Sequence, residues 1–197
     1  MTRLKNDVCE IEIVLDDADP SDAAFQGRYD LILNPEDWRK DFSKAYSIRI
    51  VLPDREYSVA LIGDYNCRDT ACAVLEEERL TVLQGWTIMQ FDVLTASVIR
   101  SVTLDTRAPN FEIYKVKTGY LIYGETEITM LNSKLEKLWS FSGNDIFVSA
   151  SDKPSFELRA DRICLYDFNG KHYELDFQGR EIRPQTPLNR RSPADGE

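Results

Sequence analysis

A mainly β protein built from antiparallel meanders is what this sequence predicts, and two observations predict it. Apolar residues alternate with polar ones at a period of two along much of the chain, and short turn-forming clusters interrupt the alternation. Ile11, Ile13 and Leu15 alternate with polar neighbours, as do Tyr46, Ile48 and Ile50, and then Tyr57, Val59 and Leu61. β-Branched and aromatic side chains fill these runs because they fit a pleated, half-buried surface. Pro53-Asp54-Arg55, between the last two runs, reads as a hairpin connection.

One segment reads as helix. Asn34 is suited to cap it, Pro35 fits a first helical position, and Glu36 and Asp37 complement the helix dipole. Trp38, Phe42 and Ala45 then share a face, so a short helix is expected from Pro35 to Lys44. The stretch from Val74 to Leu80 is rich in helix-forming residues but lies between alternating runs, and is expected to be a hairpin with a polar tip. Residues 1–182 are expected to form one β-rich domain, since a chain of 197 residues that is 43% hydrophobic can bury a substantial core. Residues 183–197 carry three prolines and few apolar groups, which predicts a disordered tail.

The second half of the chain repeats itself weakly. Phe91-Asp92 is followed by Thr95 and Val98, Leu131-Asn132 by Leu135, Leu138 and Trp139, and Leu175-Asp176 by Gly179 and Ile182. In each copy a strand ends on an apolar residue, and Asp or Asn then turns the chain by accepting bonds from its own backbone. The copies are about as far apart as four short strands and their turns require, roughly 40 residues. This pattern resembles the blade hairpin of β-propellers of the quinoprotein-like or WD-like kind, over residues of roughly 73–182. The resemblance implies stacked four-stranded antiparallel sheets, closed into a propeller or left as open twisted meanders. Asp22-Ala23-Ala24-Phe25 resembles the signature of hemopexin-type blades, but it occurs once where that family repeats it.

The formal net charge is −10, with the last fifteen residues contributing three arginines against Asp195 and Glu197. An acidic body repels phosphate backbones, so no nucleic-acid partner is expected; a basic protein partner fits better. No apolar run approaches the span of a bilayer and no leader-like segment opens the chain, so no membrane association is expected and the cytoplasm is the expected location. Cys9, Cys67, Cys72 and Cys164 are too scattered for a disulfide framework.

His172 is the single histidine, which excludes a polyhistidine metal centre. Phosphate-loop, dinucleotide-binding and nucleophile-elbow motifs are absent. No catalytic residue, metal or cofactor is therefore expected. The candidate binding residues are aromatics on expected strands, Trp86, Tyr114, Tyr120 and Tyr123, and the acidic loop Asp16, Asp17 and Asp19. Tyr and Trp are preferred interface anchors, and carboxylates suit a basic surface. The expected function is a non-catalytic module that binds a basic protein, of which an immunity-type protein neutralising a toxin is one form. Two alternatives stand beside it: an enzyme or small-ligand binder with a carboxylate-lined pocket, and a structural or accessory subunit.

Overall fold

In the computed structural model, residues 1–20, 22–35, 37, 43–64, 68–149 and 154–182 are described. Alternation becomes strand at each of the places where it is clearest. β1 (Thr2–Lys5), β2 (Glu10–Asp16), β3 (Leu31–Leu33), β4 (Ser43–Val51) and β5 (Glu56–Asp64) form a first sheet in the order β1-β2-β4-β5-β3. All its pairs are antiparallel except β3 with β5. β6 (Ala73–Glu76), β7 (Arg79–Gln84), β8 (Thr87–Asp92) and β9 (Ser97–Thr103) form a second sheet as a simple meander. β10 (Asn110–Val116), β11 (Gly119–Gly124), β12 (Ile128–Asn132) and β13 (Lys137–Phe141) repeat that meander as a third sheet. β14 (Phe156–Leu158), β15 (Ile163–Tyr166) and β16 (His172–Leu175) form a fourth, which a bridge between Leu175 and Glu181 extends.

The recurring hairpin has the physical basis the sequence suggested. The Asp92 side chain accepts from the Leu94 and Thr95 amides, both at 2.9 Å. Asn132 accepts from Lys134 and Glu136, and Asp176 from Gln178 and Arg180. In the third copy Gly179 takes φ +79; in the second, Leu135 occupies the same left-handed position at φ 62. A leucine there is strained, and its burial against Leu131 and Ile122 offsets the strain. The stretch from Val74 to Leu80 is the expected hairpin, turning at Glu77 and Glu78.

The sheets pack face against face in chain order. Ile11, Ile48, Ile50 and Leu61 of the first sheet meet Val82, Met89 and Phe91 of the second. The other face of the second sheet, with Leu83 and Ile88, meets Ile113, Tyr120 and Ile122 of the third. Leu121, Tyr123, Ile128 and Met130 on the third sheet's far side meet Ile163, Leu165, Tyr173 and Leu175 of the fourth. Strands with both faces buried lose the polar half of their alternation, which is why β7, β8 and β11 read as continuous apolar runs.

Among the described residues one short helix is present, α1 (Ala23–Gln26), capped by the Asp22 side chain on the Ala24 amide at 2.9 Å. Its Phe25 packs with Ala45, Ala60 and Ile62 on the outer face of the first sheet. The helix expected from Pro35 to Lys44 falls largely outside the described residues, and its described positions differ from the expectation. Asp37 takes φ 51, which no right-handed helix contains, and Ser43 and Lys44 open β4. Pairing with β5 along its full length holds β4 extended against its local helix signals. Residues 183–197, expected as a disordered tail, lie outside the described residues. Among the described residues no helix is long and apolar enough to cross a membrane.

Candidate functional site: an aromatic cleft beside Arg68

At one corner of the stack the third and fourth sheets leave a cleft of about 360 Å³. Alternation places Glu112 and Tyr114 on one face of β10, and the antiparallel register sets Glu112 opposite Tyr123 on β11. Phe156 enters from the start of β14. Its ring stacks on Tyr123 with centroids 4.8 Å apart and planes 15° from parallel, and on Tyr114 at 5.2 Å and 28°. Phe111 meets Tyr123 edge-on at 5.6 Å. Phe111, Tyr123 and Phe156 line the cleft, and Tyr114 stands beside it, stacked on Phe156.

Charge sits at the mouth. The Arg68 guanidinium lies 3.9 Å from the Phe111 ring centroid, a close cation–π contact. The segment carrying it is tied down from three sides. The Tyr46 hydroxyl donates to the Arg68 carbonyl, the Ile113 amide to Ala71, and the Leu83 amide to Cys72. The Glu112 carboxylate, which accepts from the Tyr114 hydroxyl, lines the same cleft.

Burial, and then the bond to Glu112, raise the Tyr114 pKa well above the ordinary phenol range. Burial, reinforced by the Glu112 charge, pushes Tyr123 up to about 12, and its hydroxyl donates to the Phe147 carbonyl at 2.5 Å. Both phenols therefore stay neutral across the physiological range. The cleft offers ring faces, one carboxylate and one guanidinium: an arrangement for recognising a cation or a flat polar group.

Of the expected binding residues, Tyr123 lines the cleft, and Tyr114 adjoins it through its contacts with Phe156 and Glu112. Tyr120 is fully buried, on the opposite face of β11. There its hydroxyl joins Thr81, Gln90 and Glu76 in a network between the second and third sheets, out of a partner's reach. Trp86 is half-buried and donates from Nε1 to the Thr106 carbonyl at 3.1 Å, pinning the loop before β10.

The acidic loop is structural in its contacts. Asp16 pairs with Arg28 at 3.1 Å and accepts from the Tyr29 hydroxyl and the Ala18 amide, while Asp17 pairs with Lys44 at 2.8 Å. Burial works to raise the Asp16 pKa, and these partners outweigh it and hold the carboxyl below its usual range. Asp19 is exposed and bonded, and none of the three acids lines the cleft. Phe111, Glu112, Phe156 and Arg68 escaped the sequence reading. Period two along β10 ties Glu112 to Tyr114 and was available as a signal; the approach of Arg68, in the segment between β5 and β6, to Phe111 on β10 is distant in sequence and left none.

No family model matches the sequence, and no curated protein matches it. Among solved structures, the chain is similar over 74% of its length to the computationally designed Ika8 protein, with a TM-score of 0.47, 11% identity and 46% of that chain covered. It is similar over 75% of its length to Hsv2 of Kluyvelomyces marxianus, at a TM-score of 0.42 and 9% identity, covering 47% of that chain. The AfRom2 CNH domain matches over 72%, at a TM-score of 0.43 and 10% identity, with 47% of that chain covered. The chain spans about half the length of these structures.

Proposed function

We propose that the protein is a non-catalytic binding module that receives a basic segment of a partner protein in the aromatic cleft. An arginine or lysine of that segment packs against Phe156 and Tyr123 and pairs with Glu112. The supporting observation is Arg68 itself: the protein's own guanidinium already rests 3.9 Å above Phe111, so the cleft suits a planar cation. A net charge of −10 speeds the encounter with a basic partner and disfavours nucleic acid. A toxin held by an immunity-type protein is one partner of this chemistry. The rings and single carboxylate favour recognition over proton transfer, which needs a second titratable group poised near neutral pH. We also read the four sheets as propeller-like blades, on the strength of their successive meanders, face-to-face packing and recurring hairpins.

The experiment is a tagged pull-down at low and high salt with the wild type, Phe156→Ala and Glu112→Gln. One stoichiometric basic partner, weakened by salt and lost from both variants, supports the reading. Equal retention by both variants removes the cleft from the function. A partner with no basic segment, or none at either salt, sinks the proposal and turns attention to small ligands.

A further inference from the structure

The fourth sheet presents a second feature, on the face turned away from the cleft. Ile163, Leu165, Tyr173 and Leu175 pack against the third sheet, so Cys164, Tyr166, His172 and Glu174 share the opposite face. The register sets Cys164 opposite Glu174 and Tyr166 opposite His172, which makes His172 the diagonal neighbour of Cys164. The Cys164 sulfur, a His172 ring nitrogen and a Glu174 carboxylate oxygen all lie within 4.8 Å of one another. Among the described residues this is the one such meeting of three metal-ligating side chains.

Two of the donors have defined neighbours. The His172 ring stacks on Tyr166 with centroids 4.5 Å apart and planes 19° from parallel. Arg162 donates to Glu174 Oε2 at 2.9 Å and leaves Oε1 as a second donor on the same carboxylate. Cys164 is buried although it lies on the outward face of the sheet. When a zinc-class cation binds, the metal–sulfur bond replaces the S–H bond and the proton is released to solvent.

We propose that Cys164, His172 and Glu174 form a binding site for a zinc-class divalent metal, with three protein ligands and a fourth position open to solvent. Thiolate and imidazole together select zinc or cobalt over magnesium and calcium, which prefer oxygen alone. Zn–S and Zn–N bonds of about 2.3 and 2.0–2.1 Å place tetrahedral donors roughly 3.5 Å apart, so the three side chains close in by about an ångström. Side-chain rotation on two paired strands supplies that movement without shifting the backbone. Three protein ligands and an open position also match the coordination of a metal that acts on something bound to it.

The test uses Co²⁺ alone as the probe, added to the full chain under reducing conditions. Expected are a near-ultraviolet sulfur-to-cobalt charge-transfer band and the strong visible bands of four-coordinate cobalt, saturating at one equivalent and displaced by Zn²⁺. Cys164→Ser abolishes the charge-transfer band. His172→Ala and Glu174→Gln each weaken binding by at least about tenfold. His172 is exposed, so its substitution reads out metal binding in a folded chain even if Cys164→Ser perturbs the sheet. Absence of the band at excess Co²⁺ overturns the proposal. So does a band that persists in Cys164→Ser, or one left unchanged by both His172→Ala and Glu174→Gln.

Discussion

Tyr120→Phe isolates one hydroxyl without changing the packing of a fully buried ring. That hydroxyl accepts from Thr81 and Gln90, each at 3.3 Å, and donates to the Glu76 carboxylate. Gln90 also bonds Thr81 directly at 3.4 Å, so those two groups keep a partner when the hydroxyl goes. The loss falls on the bond to ionised Glu76, which Lys115 also holds at 2.6 Å. A hydrogen bond to a charged group contributes about 1.5–3 kcal/mol, and the expected destabilisation is about 2 kcal/mol. With a urea m-value of about 2 kcal/mol per molar, the midpoint falls by about 1 M at unchanged slope.

The effect has a pH signature. Burial alone would raise the Glu76 pKa; Lys115 and the Tyr120 hydroxyl overcome it and hold the carboxyl below its unfolded value. A carboxyl depressed in the folded state stabilises fully above its unfolded pKa and loses that contribution as pH falls through the folded one. The gap between wild type and Tyr120→Phe is therefore expected to be full at neutral pH and to shrink once Glu76 protonates. Urea titrations across that range give the answer. An unchanged midpoint at pH 7, or a gap that stays constant through the acid range, refutes the argument that the hydroxyl acts through ionised Glu76.

Three further outcomes are expected. Gly170 and Gly179 share a left-handed backbone, at φ +81 and +79, but a Cβ at Gly170 meets nothing within 4 Å whereas one at Gly179 comes within 2.7 Å of the Trp139 ring. Gly170→Ala is expected to cost about 1 kcal/mol and Gly179→Ala about 3 kcal/mol by urea unfolding, the difference measuring the Trp139 contact. Phe25→Ala empties the contact between α1 and the outer face of the first sheet, with an expected loss of about 3–4 kcal/mol in the same assay. Trp139→Phe removes the Nε1 bond to the Phe177 carbonyl and should cost about 1 kcal/mol, leaving the circular dichroism spectrum unchanged.

The strands of the first sheet were legible because β2 and β4 bury one face more deeply than the other and so keep a clean alternation. The hairpins at Asp92, Asn132 and Asp176 were legible because their geometry is local: a side chain bonding amides two to four residues on. Facing could not be read in β11, where Tyr120 and Tyr123 look alike in a run buried on both sides and only the sheet order assigns them to different cores. α1 is four residues long, too short for a periodicity to appear. The meeting of Cys164 with His172 and Glu174 follows from the register of one hairpin, and register depends on turn length as well as on pattern.

The order in which the cores are shared has a consequence for how the molecule comes apart. Among the described residues each apolar cluster between sheets joins two neighbours in chain order, and none joins the first sheet to the fourth. Cohesion is then a series of nearest-neighbour couplings, so an outer sheet can detach at the expense of a single interface while the rest stays assembled. The slowest-exchanging amides belong in β7, β8 and β11, which are clamped from both sides, and protection should fade outward through β15 and β16. Ligands at the two places described on the fourth sheet would act on that gradient from its loosest end, and local fastening there would register as slower exchange well before any change in global stability.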